Sequence, residues 1–487
     1  MGSATEGPQL TDEQQAAAAL VIEAIESRGE VALLGPAGAG KTTVLRHVLA
    51  QLDTAKLLVL APTHKARRQV EAGLQLKGLR TSTVASVLRL KPTIHPVTGL
   101  VDFQRSTAAD PMEASALRQG PPPIAVLVDE ASMVGVGAGD ALAEVAEQLQ
   151  AALVWIGDPA QLAPIGDGEL SPRLMNCPRT ARLETVQRTG AGPVLQLSVA
   201  LREAAHPAEV WPTSSSANGA SKVVLHRHPG SWIRSAHEVI GSAAWQEDPD
   251  LGRVVAWTHR GCDQIASQLR RLRWGAAADR WNPGEWLMAP HGVPCEGGAL
   301  DNPQAAACAE LQLVEVGEPQ LLSHLLGSVE WCTPAKQLQR TIEIAAETTA
   351  CRCVVRDRAR GTELSLWLEP PGHQGNWAQQ VKQVRAAIRQ HIHDSGERRE
   401  ALKACADLGT YCPVIRFAGV LTVHASQGSS FAETWVWRDL GWAGLDMGVR
   451  ELAYVAVTRA AFGVHVLPWP GGVAADAVAP QAGQAGG

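Results

Sequence analysis

The sequence predicts an α/β protein built of doubly wound lobes, and three observations carry that prediction. Short apolar runs, "EVALLG", "KLLVLAP", "IAVLVDE" and "ALVWIGD", recur between helical patterns and end in small or acidic residues. Continuous runs of this kind are what a parallel sheet covered on both faces requires; a half-exposed strand alternates instead. The first run leads through "GPAGAGKTT" into the helical pattern "KTTVLRHVLAQL", the strand, glycine loop and helix order of a phosphate-binding turn. The third run ends in Asp129 and Glu130, at a strand C-terminus, where such sheets carry their functional loops.

The bulk properties fit a protein of this class. A chain of 487 residues holds two to four domains with ample core in each. Its 45% hydrophobic and 19% charged residues are those of an ordinary soluble globular protein. No apolar stretch reaches membrane-spanning length, and "MGSATEGPQL" has neither region of a signal peptide, so a cytoplasmic protein without membrane partners is expected. Nine cysteines do not make a disulfide framework in so long a chain. Cys351 and Cys353 lack a second pair at metal spacing, and with "HIH" at 391–393 they still read as free thiols rather than a zinc site. A net charge of −6 argues against a wholly basic nucleic-acid binder but allows a local basic track in a cleft. Arginine far outnumbers lysine, and arginine both pairs with phosphate and stacks on bases.

Taken in order, residues 1–9 and the Gly-, Pro- and Ala-rich tail 469–487 are expected to be disordered. Residues 10–185 read as a first α/β domain, broken at about 90–123 by a turn-rich insertion with one hairpin around "HPVTGLVDF". A second α/β domain occupies 186–291 and 409–468, with "VVAWTHRGCDQIASQLRRLR" as strand and helix and "PGEWLMAP" closing that unit. Residues 292–408 have a different texture, with strand-like runs "LQLVEV", "TIEIAAE", "CVVRD" and "LSLWLE" before a charged helix; they read as a small β-rich insertion. No internal sequence repeat is visible.

The candidate chemistry centres on the glycine loop. Gly35, Gly38 and Gly40 let backbone N–H groups close around phosphates, Lys41 supplies a point charge, and the Thr42 hydroxyl, followed by Thr43, completes a Mg²⁺ shell. Two adjacent carboxylates at a buried strand end are costly unless something positive joins them. Asp129 is therefore expected to hold Mg²⁺ and Glu130 to polarise an attacking water. Gln161, in "WIGDPAQLAPIGDG", offers a neutral amide that can bond a γ-phosphate or the water and lose that bond on hydrolysis. Arg188 in "ETVQRTG" and Arg459 in "YVAVTRA" are candidate charges delivered from the second lobe.

In chain order, "LTDEQQAA", "GPAGAGKTT", "LAPTHKARRQ", "TSTVAS", "VLVDEAS", "IGDPAQLAP", "LETVQRT", "TVHASQGSSF" and "YVAVTRA" resemble the motif set of superfamily 1 helicases, in the 5′-to-3′ branch with the phage Dda and bacterial RecD helicases. The resemblance runs from Leu10 to about Val466 and implies two RecA-like P-loop NTPase motor domains with ATP between them and single-stranded DNA across both. It places Gln14 at the adenine, whose edge an amide can both donate to and accept from. It sends Arg188 and Arg459 to the γ-phosphate, and Thr63, His64, Thr83 and Ser86 to the DNA strand. Thr422 and His424 are likewise implied at phosphates or bases, while Gly428 lets backbone approach the ATP. The family often has Lys where Ala425 stands, so one expected contact is missing. The insertion after Leu90 matches the family's strand-splitting pin, where Phe103 either stacks on a base or anchors the hairpin. The 292–408 insertion resembles the family's SH3-like domain. Among basic stretches, "HKARR" adjoins an implied DNA contact, "QLRRLR" reads as a solvated helix face and "RDRARG" as a turn.

The expected activity is that of an ATP- and Mg²⁺-dependent DNA helicase moving 5′ to 3′ on single-stranded DNA, with polarity resting on the resemblance alone. Its expected partners are single-stranded DNA, single-strand/duplex junctions and recombination, repair or replication proteins, for a chain acting as a monomer. Two alternatives stay open: a DNA-dependent ATPase that remodels protein–DNA complexes, and a motor subunit of a nuclease complex. RNA as substrate also stays open, since nothing in the sequence visibly reads the 2′-hydroxyl.

Overall fold

The computed structural model describes residues 10–74, 78–94, 101–105, 112, 114–164, 170–186, 192–293, 304–305, 308–322, 328–332, 339–343, 348–408, 412–445 and 448–470. Arg188, the first nine residues and nearly all of the Gly/Ala-rich tail lie outside them.

The first lobe is a six-stranded parallel sheet in the order Arg80–Thr83, Leu57–Ala61, Ala125–Val128, Ala152–Gly157, Glu30–Leu34, Thr180–Arg182. Both faces are covered, which explains the continuous apolar runs. Leu33, Leu57 and Val59 pack on one side with helices Asp12–Glu26 and Lys41–Ala50, and Leu34, Leu58 and Leu60 on the other with Val136–Gln148. Thr11 starts the first helix with a capping box. Its hydroxyl accepts from the Gln14 amide, the Gln14 side chain accepts from the Thr11 N–H, and Asp12 and Glu13 oppose the helix dipole.

The second lobe repeats this plan. Its strands run Val420–Thr422, Gly252–Ala256, Phe431–Val436, Ala460–Val466, Ser221–Leu225, Ser216–Asn218, all parallel except the last. Two apolar clusters again sandwich the sheet, and one of them takes in Leu162 from the first lobe.

The insertion is a five-stranded antiparallel sheet, Glu363–Leu368, Thr349–Asp357, Ala309–Leu321, Trp286–Ala289, Arg416–Phe417, beside the ribbon Ser328–Cys332 and Gln339–Glu343. This corrects the expected boundaries at 291 and 409. "PGEWLMAP" does not close the second α/β unit, because Trp286–Ala289 pairs with Ala309–Leu321 and Arg416–Phe417, on either side of it. The single charged helix becomes two, Asn376–His391 and Ser395–Leu408.

Leu90–Ile94 and Val101–Arg105 form the expected hairpin, with Pro92 opposite Phe103; its tip and the Phe103 side chain lie outside the described residues. "QLRRLR" is not uniformly solvated, for Arg270 is 4% exposed and ion-paired with Glu285 while bonding the Ala278 and Arg280 carbonyls. "RDRARG" does form a turn, closed by Asp357 N–H to Thr362 O at 2.9 Å. Cys351 and Cys353 are buried free thiols, and among the described residues there is neither a metal-holding cluster nor a helix long and apolar enough to cross a membrane.

Candidate nucleotide cleft and strand-end face

The glycine loop turns directly from strand Glu30–Leu34 into helix Lys41–Ala50 and faces the second lobe across a cleft of about 660 Å³. Gln14, Gly38, Gly40, Lys41, Thr42, Thr43, Asp129, Glu130 and Gln161 line its first-lobe wall. Gly428, Ser429, Ser430, Thr458 and Arg459 line the opposite wall. Gly35 sits behind the loop and is absent from the lining; its carbonyl accepts a 2.6 Å hydrogen bond from Lys41 Nζ, and the Pro36 carbonyl a second at 3.0 Å. The ammonium is thereby held over its own loop.

Two glycines are demanded by geometry. Gly40 has φ 90°, and a Cβ there would strike the Gln14 amide, which donates to the Ala39 carbonyl at 3.2 Å. Gly428 has φ 64°, and its Cβ would lie 3.3 Å from Ala66 of the first lobe. Glu130 has φ 50°, a left-handed conformation that a non-glycine residue rarely adopts without support from its surroundings.

Electrostatics single out the strand-end carboxylates. Burial, then the neighbouring Glu130 charge, pushes the Asp129 carboxyl up to about 7, and the Lys41 charge only partly opposes this. The pair therefore favours a cation. Gln161 is 4% exposed, and its Oε1 is buried without a hydrogen-bond partner among the described residues; so is Ser429 Oγ across the cleft. Such orphaned buried acceptors are costly and fit a polar ligand between the walls. Arg459 is itself buried and anchored, donating to the carbonyls of Val455 and Ser429 and to the Thr458 hydroxyl.

Thr63, His64, Thr83, Ser86, Thr422 and His424 do not line the cleft. Thr63, Thr83 and Thr422 are instead helix N-caps at strand ends, accepting from the N–H groups of Ala66, Ser86 and Ala425 at 3.1, 3.2 and 3.2 Å. A capping hydroxyl has its acceptor engaged and keeps its O–H to donate. Burial, then Arg67, Arg360 and Arg68, lowers the His64 pKa. Burial, then His259, lowers that of His424. Both rings stay neutral at pH 7 and offer hydrogen bonds rather than charge. Within the first sheet, the two strands preceding Thr63 and Thr83 lie at one edge, and the strands carrying the loop, Asp129 and Gln161 lie toward the other.

Several residues escaped the sequence reading. In "HKARR", Lys65 pairs with Glu310 of the inserted sheet at 3.5 Å, and Glu310 also pairs with the fully buried Arg253 at 2.6 Å and with Arg358 at 2.7 Å. Burial pushes that carboxyl up, but Arg253 and then Lys65 and Arg358 hold it below the usual carboxylate range. Gln427, next to Gly428, donates to the carbonyl of Leu162 at 3.4 Å, joining the "TVHASQG" segment to the residue after Gln161. Thr258 and His259 begin a second-lobe helix as Thr63 and His64 begin one in the first. The short shared pattern, Ala61-x-Thr-His and Ala256-x-Thr-His, was the available signal.

The AAA domain family matches residues 9–216, and the UvrD-like helicase C-terminal domain family matches residues 417–467. The ATP-dependent DNA helicase dda of Enterobacteria phage T4 is 28% identical over 164 residues, 33% of this chain and 34% of that protein. Uncharacterized protein R530 of Acanthamoeba polyphaga mimivirus is 26% identical over 151 residues, 28% of this chain and 29% of that protein. The chain thus spans about a third of the length of the curated relatives it matches. Pif1 helicase from Candida albicans aligns over 95% of this chain and 94% of its own at 15% identity, with a TM-score of 0.44. Pif1 from Bacteroides in complex with ADP-AlF3 and ssDNA aligns over 94% and 92% at 12% identity, with a TM-score of 0.45. The two family matches fall in both lobes and agree with the motif order: the chain resembles superfamily 1 helicases of the Dda type.

Proposed function

We propose that this protein is an ATP-dependent DNA helicase that hydrolyses ATP between its lobes and moves 5′ to 3′ along single-stranded DNA toward duplex junctions. The observation that carries the reading is the cleft itself, in which phosphate loop, paired carboxylates, orphaned Gln161 acceptor and Arg459 converge from two lobes. Loop N–H groups and Lys41 bind the phosphates, Gln14 the adenine, and Glu130 takes the proton of the attacking water. Thr42 and Asp129 are the residues to hold Mg²⁺, which supplies charge neutralisation on the phosphates when bound. Arg459, and by the motif resemblance Arg188, meets the γ-phosphate from the second lobe. Polarity, and a place in replication, recombination or repair, are part of this proposal and rest on the resemblance.

Coupling to the polymer follows from the chain's connections. Gln161 is bonded through its neighbour Leu162 to Gln427, and Gln427 ends the short turn that Thr422 caps. A shift of the Gln161 turn on hydrolysis therefore reaches Thr422 and His424 through two residues. The capping hydroxyls donate to backbone phosphates with little base preference. The test is ATP turnover with and without single-stranded DNA. Stimulation by DNA in the wild type, lost in Lys41→Ala, supports the reading; equal turnover in the two proteins refutes the site.

A further inference from the structure

Behind the nucleotide loop, on the side away from the cleft lining, a buried hydrogen-bonded chain crosses between the lobes. Tyr454, 2% exposed on helix Val449–Thr458, donates its hydroxyl proton to Asp158 Oδ2 at 2.6 Å. The same hydroxyl accepts the Ala37 N–H of the glycine loop at 3.3 Å. Asp158 is fully buried at the end of strand Ala152–Gly157. Its Oδ1 takes a 2.6 Å ion pair from Arg202 and the Ala160 N–H at 3.1 Å, and its carbonyl accepts the Gln161 N–H at 3.1 Å. Arg202 stands on helix Pro193–Glu203, packed into the second-lobe core through Val194, Leu197 and Leu201.

We propose that Tyr454 is a positioning residue, whose hydroxyl locks the phosphate-loop backbone, the Gln161 turn and the Arg459 helix into one arrangement across the lobes. The inference rests on the ATP-hydrolysing reading above. Neither Tyr454 nor Asp158 nor Arg202 lines the cleft, so their effect passes through groups that do. Four of those residues hang on this one hydroxyl by three routes: Ala37 directly, Gln161 through Asp158, and Thr458 with the helix C-cap Arg459 one turn beyond Tyr454. The bonds to Asp158 are charge-assisted, and removing the hydroxyl strands a buried carboxylate oxygen and a loop N–H together. The arrangement thus exists only while the second lobe is docked, and each of its three branches loses its reference when the lobes part.

The experiment uses the full chain and Tyr454→Phe, with two readouts. In nucleotide-free protein, amide hydrogen exchange of the segments holding Ala37 and Gln161 is expected to quicken about tenfold, the factor a lost buried hydrogen bond implies. In DNA-stimulated turnover, kcat is expected to fall about tenfold with KM for ATP within about twofold, because binding groups remain and alignment is lost. If Tyr454 acts through Arg459, the Tyr454→Phe, Arg459→Ala double variant is no slower than Arg459→Ala alone. Unchanged exchange overturns the lock, and full additivity of the two substitutions overturns its action through Arg459. A wild type without ATP turnover defeats the functional reading, while the exchange readout still decides the lock. Should Tyr454→Phe fail to fold, Arg202→Lys, on a partly exposed residue, is read by the same two criteria.

Discussion

The two α/β lobes share the order of five parallel strands, their sixth, edge strands being parallel in the first lobe and antiparallel in the second, and they differ in what stands at the ends of equivalent strands. The register agrees closely: Ala61 lies opposite Thr83 in the first sheet, and Ala256 opposite Thr422 in the second. At the strand that in the first lobe opens into the glycine loop, the second lobe runs from Ser221–Leu225 through "HRHP" straight into helix Pro229–Ile240. Where the first lobe ends Ala125–Val128 in Asp129 and Glu130, the second ends Phe431–Val436 in Trp437, Arg438 and Asp439. Asp439 accepts from the N–H groups of Trp257 and Thr258 and from the Thr258 hydroxyl, so it organises backbone rather than a ligand. The comparison teaches that five strands are common to both lobes, whereas the glycine loop and the paired carboxylates stand on one and strand-end hydroxyls on both.

The sharpest break of this comparison is in turnover. Lys41→Ala is expected to lower ATP hydrolysis by about 10³-fold, while Arg227→Ala, at the equivalent strand end of the second lobe, leaves it unchanged. Steady-state kinetics decides, and equal losses would erase the asymmetry. Next is stability where the lobes meet the insertion: Glu310→Gln leaves the buried Arg253 with only its longer, 3.7 Å pair to Asp250 and is expected to cost about 3 kcal/mol in denaturant unfolding. Lys65→Met, removing only the first-lobe partner, is expected to cost about 1 kcal/mol or less.

A titration sharpens the carboxylate contrast. With the Asp129 pKa raised to about 7, the folded chain binds that proton more tightly than the unfolded one. This contribution to stability is full below the ordinary aspartate pKa and is lost as pH rises through about 7. The metal-free wild type is therefore expected to lose thermal stability from pH 6 to 8 relative to Asp129→Asn, and added Mg²⁺ to reverse that loss. Parallel melting curves with and without the metal, identical for both proteins, would remove the coupling between this carboxyl and a cation.

The smallest effects compare threonines. Thr63→Ala, Thr422→Ala and Thr258→Ala each lose an N-cap and are expected to cost about 1 kcal/mol. DNA affinity is expected to fall for the first two only, because the Thr258 O–H is already bound to Asp439. Fluorescence anisotropy on a single-stranded oligonucleotide separates them; equal losses in all three would mean that the hydroxyls act only through folding.

The glycine loop, the Asp129–Glu130 pair and the strands of the first sheet were legible because each is a local pattern with its own physical requirement. The capping threonines were legible as positions, though the reason they sit there, a spent acceptor and an available O–H, belongs to the folded turn. Arg270 was misread because its partner Glu285 lies beyond the helix end, and a helical-face pattern cannot foresee a buried pair. Trp286–Ala289 was assigned to the wrong sheet since an apolar strand fits either; its partners at 309–312 and 416–417 decide. The Tyr454–Asp158 bond joins residues 296 apart and has no sequence signature at all.

The most direct test of the two-lobe account is unwinding of a duplex carrying either a 5′ or a 3′ single-stranded tail, with ATP hydrolysis followed in the same reaction. Unwinding from the 5′ tail alone, accompanied by DNA-stimulated hydrolysis, is the predicted result. Hydrolysis stimulated by both tails with unwinding from neither would contradict it, leaving a cleft that hydrolyses ATP without driving strand separation.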